Sequence, residues 1–267
     1  MSWIMYKTVF DVKSPIHIGW DKFSILHKTR PYITGRNLWG ALTAKLAACR
    51  GDSDYKGVGE NVDEQLRFSY FYPSTCKNEV SLFPWCDSEK FYWLYINGYG
   101  SSALKMRLAE DASLHEIEYI SPKTREGDAV YMIGYIFERE GNELKWRDVL
   151  GEACLGGERG YGWGNVELLP DSPQQEKDKF FELDIELDGA DPQIKLRSDD
   201  KILAHAIAVC ESECKGILEP FIGRETKSKD GFGTSLSKPE ICWMPGSSVK
   251  NESRYAIVSK GLWQQII

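Results

Sequence analysis

An α+β fold is what the sequence predicts, and three observations carry the prediction. The stretch "WIMYKTVFDV" (residues 3–12) alternates apolar and polar residues, which is the two-residue period of a strand. The stretch "GRNLWGALTAKLAACRG" (35–51) is rich in leucine and alanine and closes on Gly51, the composition and stop signal of a helix. Such segments then recur in the order strand, helix, two strands, irregular segment, strand, helix, strand.

The elements follow one another along the chain. "RFSYFYP" (67–73) and "KFYWLYI" (90–96) are aromatic, β-prone segments and predict two strands. "SLHEIEYISPKTREGDAVYMIGYIFERE" (113–140) predicts a loop entering a long strand, Ala129 to Glu138. "KWRDVLGEACLG" (145–156) places Trp146, Val149, Leu150 and Ala153 at helical spacing, with glycines at its end. "NVELLP" (165–170) closes the set as a strand. Strand-helix-strand-strand-helix-strand is the split βαβ, or ferredoxin-like (RRM-like), order, placed over residues 1–170. "PDSPQQEKDK" (170–179) is proline-rich and charged, and predicts a linker. Residues 171–267 then predict a smaller, β-rich C-terminal domain. "FFELDIELDG" and "SRYAIVSKGLW" read as strands, "KILAHAIAVCESE" as a helix or buried strand, and "FIGRETKSKDGFGTSLSK" as a glycine-punctuated loop.

Composition narrows the class. At 42% hydrophobic and 27% charged, the 267 residues read as globular. No apolar run approaches the ~20 residues of a membrane span, and the first residues show no signal-peptide pattern. Seven scattered cysteines predict reduced thiols in a cytoplasm. The net charge of -7 disfavours phosphate binding by the whole surface. Its distribution is uneven, however. Between residues 13 and 50 stand Lys13, Lys22, Lys28, Arg30, Arg36, Lys45 and Arg50, with Asp21 the only acid. That is either a basic stripe for nucleic acid or a face whose acids come from elsewhere in space.

"CLGGERGYGWGNVELLP" (154–170) carries five glycines around Arg159, Tyr161 and Trp163. It is no P-loop, because Trp163 rather than Lys-Ser/Thr follows Gly162. It is no dinucleotide fingerprint, because a strand rather than a helix follows. A structural turn remains, or a loop whose arginine meets phosphate and whose rings stack on bases. His205, Cys210, Cys214 and Cys242 make half of a zinc pattern; buried thiols are the plainer reading, and no cofactor or metal is assigned. His17 and His27 lie in the basic stripe and offer a base and an acid for metal-free RNA cleavage. Ser102 and Lys105 match S-x-x-K without companion motifs. The adjacent Glu110 and Asp111 point apart on regular structure.

Two stretches together resemble the RAMP superfamily of CRISPR-associated proteins. "SPIHIGWDKFSILHKTRPYITGRNLWGALTAKLA" (14–47) is similar to its N-terminal signature, matching at Tyr32, Ile33, Gly35, Gly40, Ala41 and Leu42. Residues 154–170 resemble its glycine-rich loop, and "ISPKTREGDAVYMIGYIF" the segment before it. "ICWMPGSSV" (241–249) resembles a late turn of the two-domain RAMP subunits that cap the 5′ end of the guide in type III effector complexes. The resemblance implies a ferredoxin-like RAMP domain, a second, degenerate RRM-like unit as an alternative reading of residues 171–267, and RNA contact at Arg36, Asn37, Arg159, Tyr161 and Trp163. Lys22, Lys28 and Arg30 of the basic stripe join them as candidate RNA-binding residues. It also implies partners: guide RNA, the large signalling subunit, backbone RAMP subunits and, indirectly, target RNA. Two departures count. The loop that carries a catalytic aspartate in target-cleaving subunits is short here, with only Asp21, and Arg36 stands where serine is usual. The expected function is a non-catalytic RNA-binding scaffold subunit holding the 5′ tag of the guide. The alternatives are a metal-independent endoribonuclease using His17 or His27, and a repeating backbone subunit.

Overall fold

The computed structural model describes residues 2–51, 54–102, 104–105, 108–109, 113–209, 214–226 and 233–266. Its centre is an antiparallel pair, Trp3–Val12 with Tyr131–Arg139, in register from Trp3 opposite Arg139 to Asp11 opposite Tyr131. Val166–Leu168 and Gln174–Glu176 pair outside the first of these strands. Leu66–Phe68 and Tyr72–Ser74 pair outside the second. The mixed α+β class holds, and strands predominate.

Side-chain alternation gives this sheet two apolar faces. Phe10, Val12, Met132, Ile136 and Phe68 point to one side, where Leu38, Leu42 and Leu46 of the helix Gly35–Arg50 cover them. Trp3, Met5, Tyr70, Tyr72, Tyr135 and Phe137 point to the other. There the core is completed by Phe180, Ile194, Leu196, Tyr255, Ile257 and Trp263 from the C-terminal half. Residues 1–170 and 171–267 thus share one core.

The helix Gly35–Arg50 forms as expected. Asn37 Oδ1 accepts from the Thr34 N–H at 3.3 Å and its hydroxyl at 2.7 Å, fixing the start. Gly51 ends it at φ 62°. The chain then makes a helix the sequence did not announce, Tyr55–Gln65, capped by Asp54 and burying Val58 and Val62. Its two glycines argue against a helix. Gly59 is required by packing, since a Cβ there would sit 2.9 Å from Trp39.

Three further expectations are corrected. "KFYWLYI" is mostly helix: Ser88–Tyr95 buries Phe91, Leu94 and Tyr95 at helical spacing after Asp87 accepts from the Lys90 N–H at 3.0 Å. Burial of one face there overrides β propensity. Residues 113–128 are not all loop, because His115–Ile120 is a strand paired with Ile96–Ser101 and, in parallel, with Leu26–Thr29. The expected linker does not hang free either. Gln174–Glu176 adds to the edge of the first sheet opposite Met5–Lys7, and Val9 N–H donates to Ser172 Oγ at 2.8 Å.

The C-terminal half is an eight-stranded sheet. It runs from Lys179–Phe180 through Leu183–Glu186, Gln193–Leu196, Ser253–Ile257, Trp263–Ile266, Ala206–Ile207 and Glu240–Trp243 to Leu218–Phe221. "KILAHAIAVCESE" contributes only the strand Ala206–Ile207 among its described residues, although Ile202 to Ala206 are all buried. The third sheet, with Gly19–Phe23 and Leu26–Thr29 at one side, projects as a hairpin whose first strand is exposed throughout.

Candidate functional site

Chain segments distant in sequence meet around a cleft of about 1440 Å³. The turn 18–21, the start of the helix Gly35–Arg50, the glycine loop at Gly156 and Arg159, and residues 219–226 line it.

The glycine loop is fixed by its own backbone. Gly156, Gly162 and Gly164 take φ of 90°, 76° and 87°, which an L side chain seldom adopts. Gly157 N–H donates to His17 O at 2.8 Å and Gly164 N–H to Pro15 O at 2.8 Å, so the loop lies against the first turn of the basic stripe. A Cβ on Gly156 would sit 2.4 Å from His17 O. Arg159 gives Nε to Gly156 O at 3.2 Å and Nη2 to Cys154 O at 3.0 Å. Its guanidinium is thereby held at the cleft wall.

Beneath the cleft runs a buried polar chain. Arg30 Nη1 donates to Glu219 Oε1 at 2.6 Å, and His205 Nε2 bonds the same oxygen. His205 Nδ1 meets Tyr70 Oη at 2.6 Å. The carboxylate accepts at Nε2, so Nε2 carries the proton and Nδ1 accepts from the tyrosine hydroxyl. Trp20 Nε1 donates to the other oxygen, Oε2, at 2.9 Å, and Arg30 lies 5.7 Å from the Trp20 ring centre. Burial, with Arg30 nearby, lowers the His205 pKa to about 4 despite Glu219. Burial works the other way on Glu219, but His205 and Arg30 hold it down at about 2.

Both shifts make acid destabilising. An unfolded histidine takes up a proton near pH 6.5, whereas the folded one refuses it until about pH 4. Stability present above pH 6.5 is therefore lost between pH 6.5 and 4, on the order of 3 kcal/mol from this group. Glu219 adds a further loss as pH falls from 4.5 towards 2. Denaturant melts between pH 7.5 and 4 are expected to show this slope, and His205→Gln to flatten it. Equal slopes in the two proteins would reject the assignment.

A second cluster closes the other end. Glu225 Oε1 accepts from Lys260 Nζ at 2.6 Å and from Arg36 Nη2 at 3.0 Å. Burial opposes ionisation of Glu225, yet Lys260 and then Arg36 keep its pKa below the usual carboxylate value. Lys260 also lies 4.9 Å from the Trp39 ring centre. Gly35 packs against this turn, where a Cβ would meet Gly261 Cα at 2.8 Å.

Of the residues proposed from sequence, the cleft gathers Arg30, Arg36, Asn37 and Arg159. Arg30 and Arg36 are ion-paired, and Asn37 Oδ1 is spent on its own helix. Lys22 is exposed and Lys28 half-buried on the projecting hairpin, outside the cleft lining. Tyr161 is 54% exposed beside the loop, but Trp163 is buried against Tyr119, with ring centres 5.0 Å apart. Its stacking face is already occupied. Four of the seven cations of the basic stripe are paired with acids: Lys13 with Asp11 and Glu167, Lys45 with Glu152, and Arg30 and Arg36 as above. The residues that sequence reasoning missed are Trp20, Tyr70, Glu219, Glu225 and Lys260. Their partners are far along the chain, and no local pattern marks them.

The histidines and thiols have other surroundings. His17 Nδ1 donates to Glu118 O at 2.7 Å, and the edge of its ring lies under the loop at Gly157. His27 faces His115 across 5.8 Å, and burial, then Lys22, His115 and His17, lower its pKa. Cys214 Sγ lies 3.4 Å from Tyr255 Oη, Cys242 Sγ 3.6 Å from Glu240 O, and Cys210, Glu110 and Asp111 fall outside the described residues. Among the described residues no three His, Cys, Asp or Glu side chains group to hold a metal, and no helix is long and apolar enough to cross a membrane. No protein-family model and no curated protein matches the chain.

Proposed function

We propose that this chain is a non-catalytic RNA-binding scaffold subunit of a type III-like CRISPR effector complex. It holds the 5′ tag of the guide RNA and joins the large signalling subunit to the backbone RAMP subunits. The observation that carries the reading is the cleft, where Arg36 and Arg159, from two stretches that resemble the superfamily, line one cavity with Trp20 and Trp39. The first sheet supports a ferredoxin-like domain, because Trp3–Val12 and Tyr131–Arg139 are central, with Val166–Leu168 beside the first and Leu66–Phe68 and Tyr72–Ser74 beside the second.

Carboxylates already hold Arg30 and Arg36, so few cations remain for phosphates. RNA affinity is expected to fall only gently with salt, with a log-log slope of about −2 for two to three phosphate contacts on a single strand. Arg36→Ala with Arg159→Ala should sharply reduce the RNA that co-purifies, while the fold stays intact by circular dichroism, since Lys260 still pairs with Glu225. Unchanged RNA co-purification would overturn the function.

The endoribonuclease reading keeps one specific support, the grouping of His17, His27 and His115 beside the loop. Repeat RNA incubated with the protein and EDTA decides it, since a specific cut abolished by His27→Ala would favour the enzyme.

A further inference from the structure

A second recess of about 240 Å³ adjoins the cleft at Trp20. The rings of Trp20, Tyr32, Trp85 and Tyr92 and the prolines Pro31, Pro84 and Pro245 form its walls, with Met244. Two of the walls are held in place by their neighbours. Trp20 is pinned by Glu219 and Arg30. Trp85 stacks on Phe83, with ring centres 5.2 Å apart and planes within 14°. The Gly246 backbone also comes so close that a Cβ would sit 2.8 Å from the indole. Trp20 and Tyr92 are 39% and 37% exposed, so both rings are open to an incoming chain.

We propose that this recess docks a proline-rich segment of a partner protein, with a basic residue next to the prolines. Three features select that occupant. No charged side chain lines the recess, and its three wall prolines have no N–H. The Trp20 N–H is spent on Glu219, which leaves the hydroxyls of Tyr32, Ser88 and Tyr92 among the lining residues, too few to fix the several edge atoms of a nucleobase. A polyproline II segment has no such demand. It presents pyrrolidine faces to aromatic rings, and its exposed carbonyls accept from hydroxyls such as those of Ser88 and Tyr92. Finally, the exposed Asp87 and Glu89 flank Ser88, against the single Lys90. That balance repels phosphate and complements a basic neighbour of the prolines.

The test is titration of the whole chain with a short synthetic peptide carrying Pro-x-x-Pro and a flanking Arg-Arg, followed by tryptophan fluorescence and calorimetry. The peptide is expected to bind saturably, and its proline-to-alanine counterpart not to bind. Glu89→Lys should weaken binding about tenfold at low salt, equivalent to ~1.4 kcal/mol. Tyr92→Ala should abolish it. If Tyr92→Ala fails to fold by circular dichroism, the surface variant and the alanine peptide decide alone. No saturable binding by the unaltered chain, or binding indifferent to Glu89→Lys and to proline replacement, overturns the proposal. So does an oligo-uridine strand that displaces the peptide and loses affinity in Tyr92→Ala, which would make the recess a base pocket. Trp20 lines both the recess and the cleft, so the titration is run on the RNA-free chain, and its failure leaves the RNA-loading test of Arg36 and Arg159 untouched.

Discussion

Glu219→Ala is expected to destabilise the protein by about 3–5 kcal/mol, the cost of removing one partner from a buried ion pair. The carboxylate answers three donors: Arg30, His205 and the indole of Trp20. Alanine would leave the Arg30 guanidinium, only 11% exposed, without its counter-charge. Stability should fall by roughly 10 °C in melting temperature for a chain of this size. Glu219→Gln is expected to cost less, because the amide oxygen still accepts. Replacing Arg30 and Glu219 together by Met and Leu should recover most of the loss, since no unpaired charge then stays buried. If Glu219→Ala melts within about 1 kcal/mol of the parent, a typical surface pair's worth, the network does not hold the two halves.

Gly164→Ala carries the second large effect. The residue sits at φ 87°, and a Cβ would fall 2.4 Å from Leu155 O and 3.0 Å from Cys154 Sγ. Backbone strain and the clash together are expected to cost about 3 kcal/mol or more. The hydrogen bonds Leu155 N–H to Gly164 O and Gly164 N–H to Pro15 O would be lost with the conformation. Arg159 would lose its seat, and RNA loading would fall with stability. Gly160→Ala in the same loop is the control. Its Cβ would meet nothing within 4 Å and its φ needs no glycine, so its melt should match the parent. Equal melting of the two variants would show that the loop is not rigid.

Local signals made much of the frame legible. The alternation of residues 3–12, the alanine-rich helix and the strand before the glycine loop all formed where expected. The failures have physical causes. Helix Ser88–Tyr95 is built from residues of high β propensity, and only Asp87 and the spacing of Phe91, Leu94 and Tyr95 marked it. The site was less legible than the fold. Arg30 and Arg36 look like free cations in sequence because Glu219 and Glu225 stand 189 residues away from each. Trp163 looks like an open ring because Tyr119 is brought to it only by the third sheet. Pairing across such distances has no local signature.

The order of the eight-stranded sheet bears on how the chain is made. Trp263–Ile266 lies inside that sheet, between Ser253–Ile257 and Ala206–Ile207. During synthesis the aromatic back of the first sheet, with Trp3, Tyr72 and Phe137, stays incompletely covered until Phe180, Ile194 and Leu196, and then Tyr255, Ile257 and Trp263, have followed. A nascent chain of this design has a long interval of exposed rings before its last insertion. It is the kind of intermediate that chaperones hold, and a stop codon between residues 170 and 180 would remove every residue of the C-terminal half that covers those rings.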